Sequence, residues 1–157
     1  MRDDSLLQTM AENAQTLLLN NVLVQLSDSK AYSPAGTTST TLVMSGYGQT
    51  FTPSKTGRVL VLLFANVNNN TAGDGVQAVL SYGTGAAPAA NSALTGTQVG
   101  GTAKETSAAA SASNEVALAV VVTGLTVGTT YWLDAAYSAV TGGTATISIV
   151  YALVLEF

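Results

Sequence analysis

The stretch from Ala145 to Phe157 restricts the architecture more than any other part of the sequence. Its odd positions, Ala145, Ile147, Ile149, Tyr151, Leu153, Leu155 and Phe157, are apolar at a period of two, the repeat of a β-strand. Thr146, Ser148 and Glu156 take alternate positions, but Val150, Ala152 and Val154 interrupt them, so the middle of the strand is expected to be covered on both sides. Residues 58–66 repeat the pattern, with Val59, Val61, Leu63 and Ala65 alternating with Leu60, Leu62 and Phe64, and so do residues 116–122. Strands apolar on both faces normally belong to parallel sheets packed under helices, yet no helical stretches alternate with these strands. The arrangement left is an antiparallel sandwich whose outer face packs on a second copy. Leu60, Leu62, Phe64, Val150, Ala152 and Val154 are then the candidate contacts between copies.

Further strands are expected at residues 38–45, 76–82 and 129–138, with a short one at 49–52 and an irregular edge strand around 96–101. Turn signals separate them: residues 53–57, the Asn- and Gly-rich residues 66–75, Gly83-Thr84-Gly85, Gly124 with Gly128, and Gly142-Gly143. Short strands spaced in this way indicate a mainly β protein, an antiparallel β-sandwich or jelly roll, over residues 37–157. Residues 28–36 read as a linker, because polar and chain-breaking residues dominate them.

Residues 1–27 read as an N-terminal helical segment or arm. Residues 3–26 hold few Gly or β-branched residues, and Asp3 and Asp4 favour a helix N-terminus. Leu7, Met10, Ala14, Leu17, Asn21 and Val24 follow the spacing of a coiled-coil seam, with Asn21 as a lone polar residue able to fix register. Leu6, Leu18, Leu19 and Leu23 widen the stripe, so an amphipathic helix lying on its own domain or on a neighbour fits as well. A strand within residues 17–26, broken at Asn20-Asn21, is the third alternative.

Composition removes whole chemistries. The chain of 157 residues contains neither Cys nor His, which excludes disulfides, thiolate nucleophiles, cysteine zinc sites, the Ser-His-Asp arrangement and imidazole metal ligands. Only Arg2, Lys30, Lys55, Arg58 and Lys104 are cationic in a chain of net charge −4, so no basic patch for nucleic acid is expected. No apolar run approaches the ~20 residues of a membrane span, and Met1-Arg2-Asp3-Asp4 is unlike a secretion signal. A protein made in a cytosol, with no membrane partner, is expected. With 9% charged residues the exterior is hard to cover with ions, which again points to burial against other subunits.

Candidate sites are few. Tyr131-Trp132 has the residue types of a sugar-stacking platform, together with Tyr82 and Tyr47, but packing is the simpler role: Tyr131, Leu133, Ala135 and Tyr137 share one face and Trp132 shares the other with Asp134. Asn66, Asn68, Asn69, Asn70 and Asp74 supply oxygens, yet a calcium site takes six to eight, usually with several carboxylates, so a turn is expected there. Asp74, Glu105, Glu115, Asp134 and Glu156 are the carboxylates a glycosidase pair would draw on, and none lies in a recognisable motif. Gly46-Tyr47-Gly48 and Gly83-Thr84-Gly85 lead into no phosphate-binding loop. No catalytic, cofactor or metal site is expected.

Residues 51–61, FTPSKTGRVLV, resemble the opening of jelly-roll modules of the tumour necrosis factor-like kind. Residues 80–88 (LSYGTGAAP), 96–100 (GTQVG), 122–134 (VTGLTVGTTYWLD) and 142–146 (GGTAT) are similar to phrases in tailed-bacteriophage virion proteins. The resemblance covers residues 50–157. It implies a structural virion protein, a homotrimeric capsid decoration or head-fibre component on the particle exterior, anchored through its N-terminal segment to the major capsid protein or another virion protein. A tail-fibre knob that binds a host surface glycan is the alternative, and a small polysaccharide-degrading enzyme is a further one.

Overall fold

A computed structural model of the chain describes residues 23–29 and 31–157. Among these residues there are nine strands and no helix: β1 (Leu23–Asp28), β2 (Val43–Met44), β3 (Gln49–Phe51), β4 (Val59–Asn69), β5 (Gly75–Thr84), β6 (Thr97–Thr106), β7 (Asn114–Val122), β8 (Tyr131–Ala139) and β9 (Ala145–Glu156). One sheet runs β1-β9-β4-β7 and the other β2-β8-β5-β6, with β3 also on β8; every pairing is antiparallel. Since β2 and β3 pair with successive parts of β8, they act as one interrupted strand. The chain then passes between the sheets in the double Greek-key order of a jelly roll. The expected fold class is therefore the observed one.

The core lies between the sheets. Val59, Val61, Leu63, Ala65 and Val67 of β4 face Val76, Ala78 and Leu80 of β5 and Leu133, Ala135 and Tyr137 of β8, all nearly inaccessible to solvent. These are the alternate positions of each strand, as a period of two requires. The Asn-rich loop closes one end. Asn69, fully buried, donates from Nδ2 to the carbonyls of Gly75 (3.1 Å) and Gly142 (2.9 Å), and its Oδ1 accepts the Thr71 amide at 3.0 Å. Asn70 Oδ1 accepts the Thr144 amide at 2.7 Å, so these oxygens already serve the backbone of two turns.

Three expectations need correction. Helix does not extend through residues 23–26, because Leu23–Asp28 pairs with β9, in keeping with the strand alternative; the rest of the arm, with Leu7, Met10, Ala14, Leu17 and Asn21, lies outside the described residues. Of the strand expected at 38–45, only Val43–Met44 forms, because Ser39 and Thr41 are held in a turn by the Ser39 hydroxyl. The third concerns β9. Its register against β4 shifts between Phe64 and Ala65, where Phe64 pairs with Tyr151 and Ala65 with Ile149, leaving Val150 as a bulge. The bulge reverses the facing of everything after it. Ala145, Ile147 and Ile149 point into the core as expected, but beyond Val150 the inward residues are Ala152, Val154 and Glu156, while Tyr151, Leu153 and Leu155 turn outward. Ala152 and Val154, expected between copies, are thus fully buried in the protein's own core.

Candidate functional site

The outer face of the β5/β8 sheet is sealed by the chain itself. Residues 85–96 fold back over it: the amides of Met44 and Asn91 donate to the carbonyls of Ser92 and Met44 at 2.9 and 2.8 Å, and Ser81 Oγ donates to the Thr95 carbonyl at 2.7 Å. Beneath this cover a second small core forms from Met44, Val79, Trp132 and Ala136, with Leu42 and Leu94 packed on it. Trp132 is 4% exposed and donates from Nε1 to the Thr84 carbonyl at 3.2 Å. Tyr82 pairs opposite Leu133 and so faces the main core, on the other side of the sheet from Trp132, and Tyr47 is buried with its hydroxyl on Asp28. The three aromatics that a stacking platform would require are not brought together.

Asp134 shares that sealed side. Its carboxylate accepts the Ser45 hydroxyl and the amides of Gly46 (3.0 Å), Tyr47 (3.1 Å) and Ala135 (2.7 Å). Burial pushes its pKa up from the ordinary carboxylate value, and the four hydrogen bonds only partly offset this. Glu156 shows the opposite balance at the end of β9. Burial again opposes ionisation, but the amides of Ser54, Lys55, Thr56 and Gly57 all point at the carboxylate at 2.6–3.2 Å, and Gln25 Nε2 adds a bond at 2.7 Å. Together they lower its pKa to about 2. Gly57, at φ +64°, permits this turn of converging amides, which Pro53 to Gly57 announced in the sequence only as a loop. Both carboxylates are fully engaged in holding loops. Among the described residues no three acidic side chains gather as metal ligands would.

The outer face of the β4/β9 sheet is different. Cross-strand registry places Val24, Leu155, Leu60 and Val121 in one outward row, Leu153, Leu62 and Ala119 in the next, then Tyr151, Phe64 and Ala117. Val24, Val121, Phe64 and Val150 are 63%, 47%, 41% and 37% exposed, and Leu60, Leu62, Leu153 and Leu155 are half-buried. The Phe64 and Tyr151 rings lie 6.4 Å apart at 40°. The apolar rows stop at a polar row of Glu115, Asn66 and Ser148, and a concavity of about 510 Å³ lies at this boundary between Phe64, Asn66, Glu115 and Val150. Leu60, Leu62, Phe64 and Val150 therefore face outward, the orientation that a contact between copies requires. Tyr151, Leu153 and Leu155 were missed, and the available signal was Glu156: a carboxylate in step with Ala152 and Val154 implies a special environment at the strand end.

The molecule is a jelly-roll β-sandwich with one outward face sealed and the other apolar and, among the described residues, uncovered. No protein-family model matches the chain, and neither does any curated protein. Among solved structures it is similar to part of dimeric latent PorU from Porphyromonas gingivalis, at 14% identity and a TM-score of 0.47, over 87% of this chain and 12% of that one. It is similar to part of infectious bursal disease virus, Gx strain, at 13% identity and a TM-score of 0.41, over 87% of this chain and 31% of that one. The enzymatically active domain of tailspike protein 4 from bacteriophage CBA120 matches at 14% identity and a TM-score of 0.35, over 86% of this chain and 20% of that one. The chain thus spans less than a third of the length of each of these. The fold assignment rests on strand order, and likenesses at these scores bear on nothing more.

Proposed function

We propose that this chain is a non-enzymatic structural protein of a virion, a homotrimeric capsid decoration or head-fibre component on the particle exterior, with the segment before β1 as its attachment to another virion protein. The open apolar face of the β4/β9 sheet carries the self-association part of this reading. Rows of Leu, Val, Phe and Tyr set side by side on a sheet are stabilised when removed from water, at about 25 cal/mol per Å². A chain with 9% charged residues has little else with which to cover them. The virion part is supported by the resemblance of residues 50–157 to phage virion phrases. The mechanism is mechanical: burial between copies makes a rigid unit, and several copies joined together bind neighbouring capsomers with multiplied strength.

Light scattering on the purified protein tests the assembly, with the mass of three 15.8-kDa chains as the expected result. A monomer at micromolar concentration overturns it. Removing residues 1–22, which leaves β1 in place, should abolish binding to particles that lack the protein; unchanged binding would show that another surface is the anchor.

A further inference from the structure

Resting on the self-association reading above, we infer that copies meet with opposite ends of the open face together, the stacked side chains of Arg58 and Phe157 in one copy seating in the concavity beside Glu115 of the next. Charge sets this direction. Arg58 precedes Val59, which points into the core, and so continues the outward column of Leu60, Leu62, Phe64 and Asn66 on β4. Its guanidinium carbon lies 4.7 Å from the centre of the Phe157 ring, and the Phe157 amide donates to the Arg58 carbonyl at 3.2 Å. Glu115 stands in the row of Asn66 and Ser148, about 26 Å away along β4 at ~3.3 Å per residue. Among the described residues, Arg58 and Glu115 are the charged side chains of these outward columns, one at each end of the apolar rows. Like ends together would set Arg58 against Arg58 and Glu115 against Glu115. Opposite ends set each cation against an anion.

The hollow also fits what the other end presents. On β7 the outward residues Ala117 and Ala119 are small, whereas β4 carries Leu60, Leu62 and Phe64 and β9 carries Tyr151, Leu153 and Leu155. The concavity of about 510 Å³ lies where this low column adjoins Phe64 and Val150, with Ala117 as a further apolar wall and Asn66 and Glu115 at its polar margin. Glu115 is exposed, and no described residue forms an ion pair with it. An apolar cup with a carboxylate on its rim is complementary to an aromatic ring that carries a guanidinium. In a cyclic assembly the contact repeats, each copy giving its Arg58 end to one neighbour and its Glu115 end to the other, and three such contacts close a ring. An exposed ion pair contributes little by itself, so the apolar rows hold the copies and the charges set their direction.

Charge exchange tests the contact. Association of the full chain is measured by light scattering over a dilution series for Arg58→Glu, Glu115→Arg and the double variant, with circular dichroism to confirm the folded sandwich. Each single reversal sets like charges together and is expected to weaken association by roughly 10-fold or more, and the double variant is expected to return to within about 3-fold of the wild type. Single variants that associate like the wild type, or a double variant no stronger than the singles, overturn the contact and leave self-association standing. A monomeric wild-type chain overturns self-association and this contact with it. A second measurement does not depend on reversed charges. The chain has no cysteine, so Arg58→Cys and Glu115→Cys each carry one thiol. Mild oxidation is expected to give covalent dimers when the two variants are co-expressed and none from either alone. Dimers from one variant alone would place like ends together, and an oligomeric mixture without dimers would place neither pair of ends in contact; either result overturns the proposal.

Discussion

The two outward faces of this sandwich are made of similar strands and end in opposite states. On the β5/β8 sheet, Val79, Trp132 and Ala136 are apolar and outward, and residues 85–96 with Leu42 and Met44 bury them. On the β4/β9 sheet, Leu60, Leu62, Phe64 and Leu155 are just as apolar and outward, and no described residues cross them. Strand hydrophobicity therefore does not by itself announce a partner. A two-faced strand has three explanations in this molecule: a long connection folded over it for β8, a bulge that swaps its facing for β9, and an open face for β4. What separates them is the length and reach of the neighbouring connections, together with the register.

The difference is broken most severely by removing the residue at the centre of the sealed side. Trp132→Ala is expected to destabilise the fold by about 3–5 kcal/mol, as truncation of a fully packed aromatic does, and to leave the Thr84 carbonyl without its donor. Urea denaturation measures this. A loss below about 1 kcal/mol would mean that the 85–96 cover contributes little. Next in size is Gly96→Ala. Gly96 sits at φ +79°, and a Cβ there would fall on the Trp132 ring and 2.5 Å from the Tyr82 carbonyl oxygen. Left-handed backbone and overpacking together should destabilise by about 2–3 kcal/mol. Limited proteolysis should then cut within residues 85–96 first, since the cover and not the sheet is displaced.

How much of this was legible follows from the same residues. Strands β4, β5, β7, β8 and β9 were readable because their alternation extends over many positions, and the facing of Tyr131, Trp132, Leu133 and Asp134 follows from period two alone. The bulge was not readable, because residues 149–155 are apolar at every position and any phase looks equally good. For the same reason Ala152 and Val154 were assigned to the wrong side while Leu60, Leu62 and Phe64, on an uninterrupted stretch of β4, were assigned correctly. The cover on the sealed side was hidden for another cause. Residues 85–96 hold mainly Ala, Gly, Ser and Thr with Leu94 as the single large apolar residue, and their folding back is fixed by backbone bonds to Met44 that no side-chain pattern encodes.

The buried carboxylates sharpen the comparison, because each holds a loop to a different sheet and they respond to pH with opposite signs. Glu156 falls from 4.5 to about 2 on folding, so its contribution is complete above pH ~4.5 and is lost as pH drops towards 2. Asp134 is raised above 3.8, so the folded state holds its proton more tightly and ionisation lowers stability as pH rises beyond that value. Glu156→Gln keeps one acceptor oxygen and loses the charge. It should destabilise by about 2 kcal/mol at neutral pH and flatten the stability profile between pH 4.5 and 2. A variant with an unchanged acid limb would assign that limb to other groups.

The smallest effect on the fold is expected where the effect on assembly is largest. Phe64 is 41% exposed, with its ring 6.4 Å from that of Tyr151, so Phe64→Ser should alter the stability of an isolated sandwich by only about 1 kcal/mol. In an oligomer, however, unfolding depends on protein concentration, because association adds to the stability of the folded state only. The wild-type midpoint should therefore rise with concentration, and the Phe64→Ser midpoint should not. The two should converge on dilution, where only the contacts within one copy remain. If they stay apart in the dilute limit by as much as a core truncation, Phe64 is covered from within its own chain. The contrast between a sealed and an open face then becomes one between two kinds of cover, a connection on one side and the N-terminal segment on the other.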